Sequence, residues 1–211
     1  MNFTTYLFDF DGTLVDSMPY WSRKMLNILN ETNTPYPENV ISIITPLGDA
    51  GTAVYFRETL GVPLTEAEMF EKMDAYGIPC YRDQIPLKND VLDGLKRLHA
   101  KGCSLNILTA SPHKALDPCL RRLGIGDLFD NIWSSDDFGL SKSNPQIYRE
   151  AVKLMGTVAS ETAFFDDNLT AIRTAKEAGL YTVGVYDDSG IAFRQELEAV
   201  ADRYITSFAE I

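Results

Sequence analysis

The chain predicts an α/β protein: a parallel sheet with helices on both faces, interrupted after its first strand by a small helical segment. Three observations predict it. Five short β-rich runs, Thr5–Phe10, Ser104–Thr109, Asn131–Ser134, Thr162–Phe165 and Tyr181–Tyr186, have the length and apolarity of strands buried on both faces. Helically spaced segments separate most of them, and strands alternating with helices build parallel sheets. One stretch, from about Ser17 to Ile85, breaks the alternation because nothing in it reads as a buried strand.

The elements can be justified in chain order. After the first strand, Trp21, Met25 and Ile28 recur at steps of four and three, the spacing of one helix face. Val40–Ile44 is a short apolar run, and Val54–Leu60 and Glu66–Tyr76 continue the helical pattern, with Pro35, Pro37, Pro46 and Pro63 as punctuation. Beyond Ile85, Leu92, Leu95 and Leu98 mark a helix, as do Leu116, Leu120 and Leu123. Ser111-Pro112 reads as an N-cap followed by a first-turn proline, and Asn144-Pro145 repeats the device with Gly156 as the stop. Asn168 and Gly179 bracket the helix of Ala171, Ala175 and Ala178. The division expected is therefore residues 1–15 and 86–211 as the α/β core and 16–85 as the helical segment.

Composition excludes several classes. With 19 Lys+Arg against 30 Asp+Glu in 211 residues, the formal net charge is −11, a poor match for nucleic acid. The longest uncharged run, Gly102 to His113, is too short to span a membrane. No Lys or Arg precedes Arg23, so the start does not read as a signal peptide. Cys80, Cys103 and Cys119 form no CxxC pair, which predicts free thiols and a cytoplasmic location.

The chemistry concentrates at strand ends. The first strand runs into Asp9 and Asp11, and Gly12 then lets the chain turn away. Ligand crevices of open α/β sheets lie outside the carboxyl ends of the strands. Two clustered carboxylates repel each other, and an oxygen-only site suits a hard cation, most simply Mg²⁺. Asp166 and Asp167 follow another strand and would converge with Asp9. Thr109-Ala110-Ser111-Pro112, where strand passes into helix, offers a hydroxyl, backbone N–H groups and a positive helix end to a phosphate. Lys142 brings a positive charge from a nearby loop. Taken singly, Asp-Gly is a turn, Asp166-Asp167 a solvated loop and Lys142 surface; their coincidence at predicted strand ends favours a site. With only His99 and His113, a Ser-His triad or a zinc site is disfavoured. His99 reads as solvated, and His113 lies near enough to the site to touch a substrate.

Asp9-Phe10-Asp11-Gly12-Thr13-Leu14-Val15-Asp16-Ser17 resembles the first motif of the haloacid dehalogenase-like hydrolases, and Thr109, Lys142 and Asp166-Asp167 follow in that family's order. The helical segment resembles the cap of its phosphoglycolate phosphatase and β-phosphoglucomutase branch. The resemblance implies a Rossmann-like core and a Mg²⁺-dependent phosphatase acting on a small phosphorylated metabolite, as a monomer or weak dimer. It implies Asp9 as the nucleophile that forms an aspartyl-phosphate, and Asp11 as general acid and then base. Mg²⁺ would be held by Asp9, Asp167 and the backbone carbonyl of Asp11, with Asp166 as a further ligand or just behind. Thr109, Gly12, Ala110 and Lys142 would bind the phosphoryl group. Trp21, Thr45, Gly48 and His113 are the substrate-specificity candidates. The loop Thr45-Pro46-Leu47-Gly48-Asp49 has no basic residue, which predicts little accommodation of a second anionic group. The chain departs from the family in carrying Lys142-Ser143 rather than Lys-Pro and Asn168 where a serine is usual. Tyr20-Trp21 stands where the mutase branch carries a cap histidine, which disfavours a sugar-phosphate mutase. A non-catalytic phosphate-binding module is the alternative of another class.

Overall fold

Every side chain of the first strand, β1 (Thr5–Phe8), is buried, because helices cover both faces of the sheet, and parallel neighbours flank the strand on both edges. In the computed structural model, which describes residues 3–211, those neighbours are β2 (Ser104–Thr109) and β4 (Thr162–Asp166). The first two residues of the expected 1–15 segment lie outside the described residues. With β3 (Asn131–Ser134), β5 (Tyr181–Val185) and β6 (Arg203–Ile205), the sheet runs β3-β2-β1-β4-β5-β6, with every pairing parallel. The fold is the expected Rossmann-like α/β sandwich. β6 is not among the five expected strands: it is three residues long and only Ile205 is fully buried, so no apolar run marks it.

Alternation along the strands supplies two apolar faces. Tyr6, Phe8 and Phe165 face a core covered by α5 (Val91–Ala100) and α6 (His113–Leu123). Leu7, Leu108 and Phe164 face the opposite core, against α7 (Pro145–Leu154), α8 (Leu169–Glu177) and α9 (Arg194–Val200). Asn144 and Asn168 cap α7 and α8 with their side chains. Ser111 does not cap α6. Pro112 occupies the N-cap position in extended conformation, and the Ser111 hydroxyl is used elsewhere.

Between β1 and α5 lie α1 (Met18–Glu31), α2 (Val40–Ile44), α3 (Gly48–Glu58) and α4 (Glu66–Asp83). They close around a cluster of their own that includes Met25, Ile28, Ile44, Phe56, Met69 and Met73. A reciprocal Thr65–Glu68 capping box starts α4. The chain enters and leaves this segment side by side: Asp16 N donates to Pro86 O (3.0 Å) and Lys88 N to Leu14 O (3.0 Å). No described helix is long and apolar enough to cross a membrane. The three cysteines are free, Cys119 buried and the others half-buried.

Candidate active site

Adjacent strands β1 and β4 end together, and Asp9 N donates to Phe165 O (2.8 Å), extending their ladder by one residue. That register brings the carboxylates of Asp9, Asp166 and Asp167 into one cluster, each offering an oxygen within 4.8 Å of the others. Asp9 and Asp166 are buried, at 4% and 0% exposure. Lys142 reaches in from the loop before α7; its Nζ donates to Asp9 Oδ1 and to Asp166 Oδ2 (2.6 Å for the latter). Tyr148, one helical turn into α7, fixes that loop by donating to the Lys142 carbonyl (3.0 Å).

Charge in this pocket is costly. Burial pushes the Asp9 carboxyl up to about 8, with Lys142 drawing it down and Asp166 and Asp11 adding to the rise. Burial likewise holds Asp167 well above the carboxylate range, and Asp166 and Asp9 add to it. Burial alone would lower the Lys142 ammonium, but Asp166 and Asp9 outweigh it and raise it. Three carboxylates share this pocket with the Lys142 ammonium, which leaves negative charge unbalanced. A hard divalent cation fits that donor set.

Asp11 lies outside the triad. Its Oδ1 accepts from the Tyr81 phenol (2.6 Å) and its Oδ2 from the Ser111 hydroxyl (2.6 Å), with Thr109 Oγ1 3.5 Å away. Ser111 N in turn donates to Thr109 Oγ1 (3.1 Å). Burial and the neighbouring Asp11 push the Tyr81 phenol well above its ordinary value, so it donates. Gly12 sits at φ +74°, and an added Cβ would lie 2.6 Å from Asp167 Oδ2. Its N–H is spent on Val15 O (3.0 Å). This corrects the expectation that Gly12 meets a phosphoryl oxygen: the glycine supplies room. Thr13 braces the other side, donating to Asp167 Oδ1 and accepting from Asp167 N, both at 3.2 Å.

A cavity of about 780 Å³ opens between the helical segment and the sheet edge, walled by Gly48, Tyr81, Ala110 and Ser111 among others. Gly48 is the one specificity candidate in that wall. Thr45 donates its hydroxyl back to Ile41 O (2.8 Å), and Thr45–Leu47 is a helical turn rather than a loop. Trp21 Nε1 donates to Asp49 (2.6 Å) behind the wall. Both ring nitrogens of His113 are taken by surface carboxylates, Asp117 and Asp137, at 2.9 Å. His113, Thr45 and Trp21 are therefore not part of the cavity lining. The cations absent from Thr45–Asp49 come instead from α1 and α6: Lys24 and Lys114 line the cavity, paired with Asp49 and Asp74.

Sequence reasoning missed Tyr81 and Lys88. Lys88 Nζ donates to the carbonyls of Gly12 (2.6 Å) and Tyr186 (2.5 Å) and to Asp187 Oδ2 (3.0 Å), tying the acidic turn to the end of β5. Neither residue carries a local signal. Tyr81 lies beyond the helical run read over Glu66–Tyr76, in the part of α4 that extends to Asp83, and Lys88 in a polar run that reads as surface.

A model of haloacid dehalogenase-like hydrolases matches residues 3–179. The phosphoglycolate phosphatase of Colwellia psychrerythraea is 30% identical over 188 residues, which span 85% of this chain and 82% of that protein. Pyrophosphatase PpaX of Anoxybacillus flavithermus is 28% identical over 188 residues, 88% of this chain and 84% of that protein. Among solved structures, CbbY from Rhodobacter sphaeroides in complex with phosphate superposes with a TM-score of 0.83 at 24% identity, covering 99% of this chain and 96% of that one. At that identity the likeness shows the fold.

Proposed function

The chain belongs to the haloacid dehalogenase-like hydrolases and is a phosphoric monoester hydrolase; we propose that it is a Mg²⁺-dependent phosphatase that hydrolyses a small phosphomonoester through an aspartyl-phosphate on Asp9. One observation carries the reading. Lys142 bridges Asp9 and Asp166 at the sheet edge while Asp11 is held apart from them by two hydroxyl groups. Separate places in one pocket suit a nucleophile at Asp9 and a proton carrier at Asp11.

In this reading an Asp9 oxygen attacks phosphorus, the bond to the leaving oxygen breaks, and Asp11 gives that oxygen its proton. Water then attacks the phosphoryl group, Asp11 takes a proton from it, and phosphate leaves with Asp9 regenerated. Lys142 offsets the negative charge shared by nucleophile and phosphoryl group, and Thr109 and Ala110 border the phosphoryl oxygens. Asp9, Asp167 and the Asp11 carbonyl would hold Mg²⁺, with Asp166 beside them. Bound there, the ion supplies Lewis-acid stabilisation to the phosphoryl oxygens. Residues 16–85 act as a cap that limits water in the cavity and selects the leaving group. The free thiols suit an enzyme of the cytoplasm.

The cavity also bears on the substrate. Lys24 and Lys114 are each paired with a carboxylate, and Asp136 adds a further negative charge to the lining. A neutral, hydroxylated leaving group suits that wall. Phosphoglycolate, named for the Colwellia relative, requires one lysine to be released from its partner. In a substrate panel, a carboxylated or bisphosphorylated compound with by far the highest kcat/KM would overturn this preference.

The mechanism is tested by Mg²⁺-dependent hydrolysis of an aryl phosphate by wild type and by Asp9→Asn. Wild type is expected to be active and the variant inert. An inactive wild type, or an active Asp9→Asn, refutes it.

A further inference from the structure

Asp11 is the group asked to move a proton, yet it is held by a residue from outside the sheet. Tyr81 lies in the last turn of α4, and its phenol donates to Asp11 Oδ1 at 2.6 Å. Beside it Ser111, on the loop after β2, donates to Oδ2 at 2.6 Å. The two hydroxyl groups also lie 3.2 Å apart, closing a ring around the carboxyl group. Tyr81 is itself anchored: its ring packs against the sheet core, and Arg122 of α6 donates to its carbonyl (3.0 Å) and to that of Ile85. Tyr81 also lines the cavity in which a leaving group would sit.

A carboxyl group rotates easily about its last side-chain bond, and that torsion is broad when nothing holds it. Proton transfer requires the donor oxygen within hydrogen-bond reach of the leaving oxygen, so a free carboxyl group would spend much of its time misaimed. With one hydroxyl on each oxygen, the Asp11 plane is set. We propose that Tyr81 is a positioning residue, brought by the helical segment, which aims Asp11 at the leaving-group oxygen. The assignment rests on Asp11 acting as general acid.

The test uses leaving-group chemistry, because kcat/KM reports formation of the phosphorylated enzyme and nothing after it. An alkyl phosphate needs a proton on its leaving oxygen, whereas 2,4-dinitrophenyl phosphate does not. Tyr81→Phe keeps the ring and removes the hydroxyl. It is expected to lose roughly 10- to 100-fold in kcat/KM on the alkyl ester, a share of the whole general-acid contribution, and less than about threefold on the dinitrophenyl ester. Tyr81→Leu is expected to show the same dependence. On the alkyl ester, adding Tyr81→Phe to Asp11→Asn should cost less than about twofold more. Equal losses on both esters, or fully additive losses in the double variant, would overturn the assignment and leave the phosphatase reading standing. A wild type inert toward both esters would overturn both readings.

Discussion

Gly12→Ala isolates what the acidic turn requires of its backbone. Two penalties add at this position. The left-handed φ of +74° strains any residue with a Cβ by roughly 1–2 kcal/mol. The new methyl would also lie 2.6, 2.8 and 2.9 Å from the three terminal atoms of the Asp167 carboxyl group, against ordinary contact from 3.4 Å. Asp167 must then retreat by about 0.8 Å, and misplacement on that scale costs on the order of 30- to 100-fold in turnover. Gly124→Ala is the control, since it shares the strain (φ +65°) and meets nothing within 4 Å. Both variants are expected to melt about 2–8 °C below wild type. Gly12→Ala alone should lose kcat/KM and need more Mg²⁺ to reach half-maximal rate. Wild-type kcat/KM in Gly12→Ala, or an equal loss in Gly124→Ala, would refute the argument from crowding.

Two further substitutions probe the supports of the site. Lys88→Met leaves the buried Asp187 carboxylate and two carbonyls without their shared donor, which should cost about 3 kcal/mol in urea unfolding. A loss under about 1 kcal/mol would show that water replaces the lysine. Asp202 locks β6 to β5 by accepting from Thr182 N and Oγ1, both at 2.8 Å, and from Lys176 (2.7 Å). Burial raises its pKa, but these donors outweigh burial and leave it below the usual value. A depressed folded-state pKa adds stability that is present above about pH 4 and lost as pH falls through that pKa. Asp202→Asn should therefore cost about 1 kcal/mol at pH 7, with the gap to wild type closing toward pH 3. A gap constant with pH would rule out the carboxylate as its source.

Of the five longer strands, β1, β2, β4 and β5 are legible because strands buried on both faces are largely apolar, and β3, only half-buried along most of its length, shows as a short β-rich run. Where burial is partial the signal fades, as at β6. Val40–Ile44 shows a different ambiguity: its apolar, β-branched composition suits a strand, yet it is a helix. Val40 and Ile44, four residues apart, point into the cluster of the helical segment. Asp9, Asp166 and Asp167 can be brought together on paper because a parallel sheet aligns its strand ends. Tyr81 and Lys88 cannot, since each meets its partner about 70 or more positions away through the path of an inserted segment. His113 shows the opposite error. Its place just after a strand end suggested a site residue, while Asp117 one helical turn on already offered a surface partner.

The side-by-side entry and exit of the helical segment also governs how the chain assembles. Thr5 of the central strand pairs with Ser104 on one edge and Thr162 on the other. During synthesis β1 therefore emerges long before either neighbour exists, and it must wait with its apolar side chains exposed. Because Val15 and Leu87 are bridged, a segment that folds early around its own cluster would gather the chain at that junction. It would shorten the effective loop between β1 and β2 from about 100 residues to about 30, easing closure by about 1 kcal/mol. The insertion would then act as a clasp that holds the waiting strand near its partners, and variants that loosen it should slow refolding.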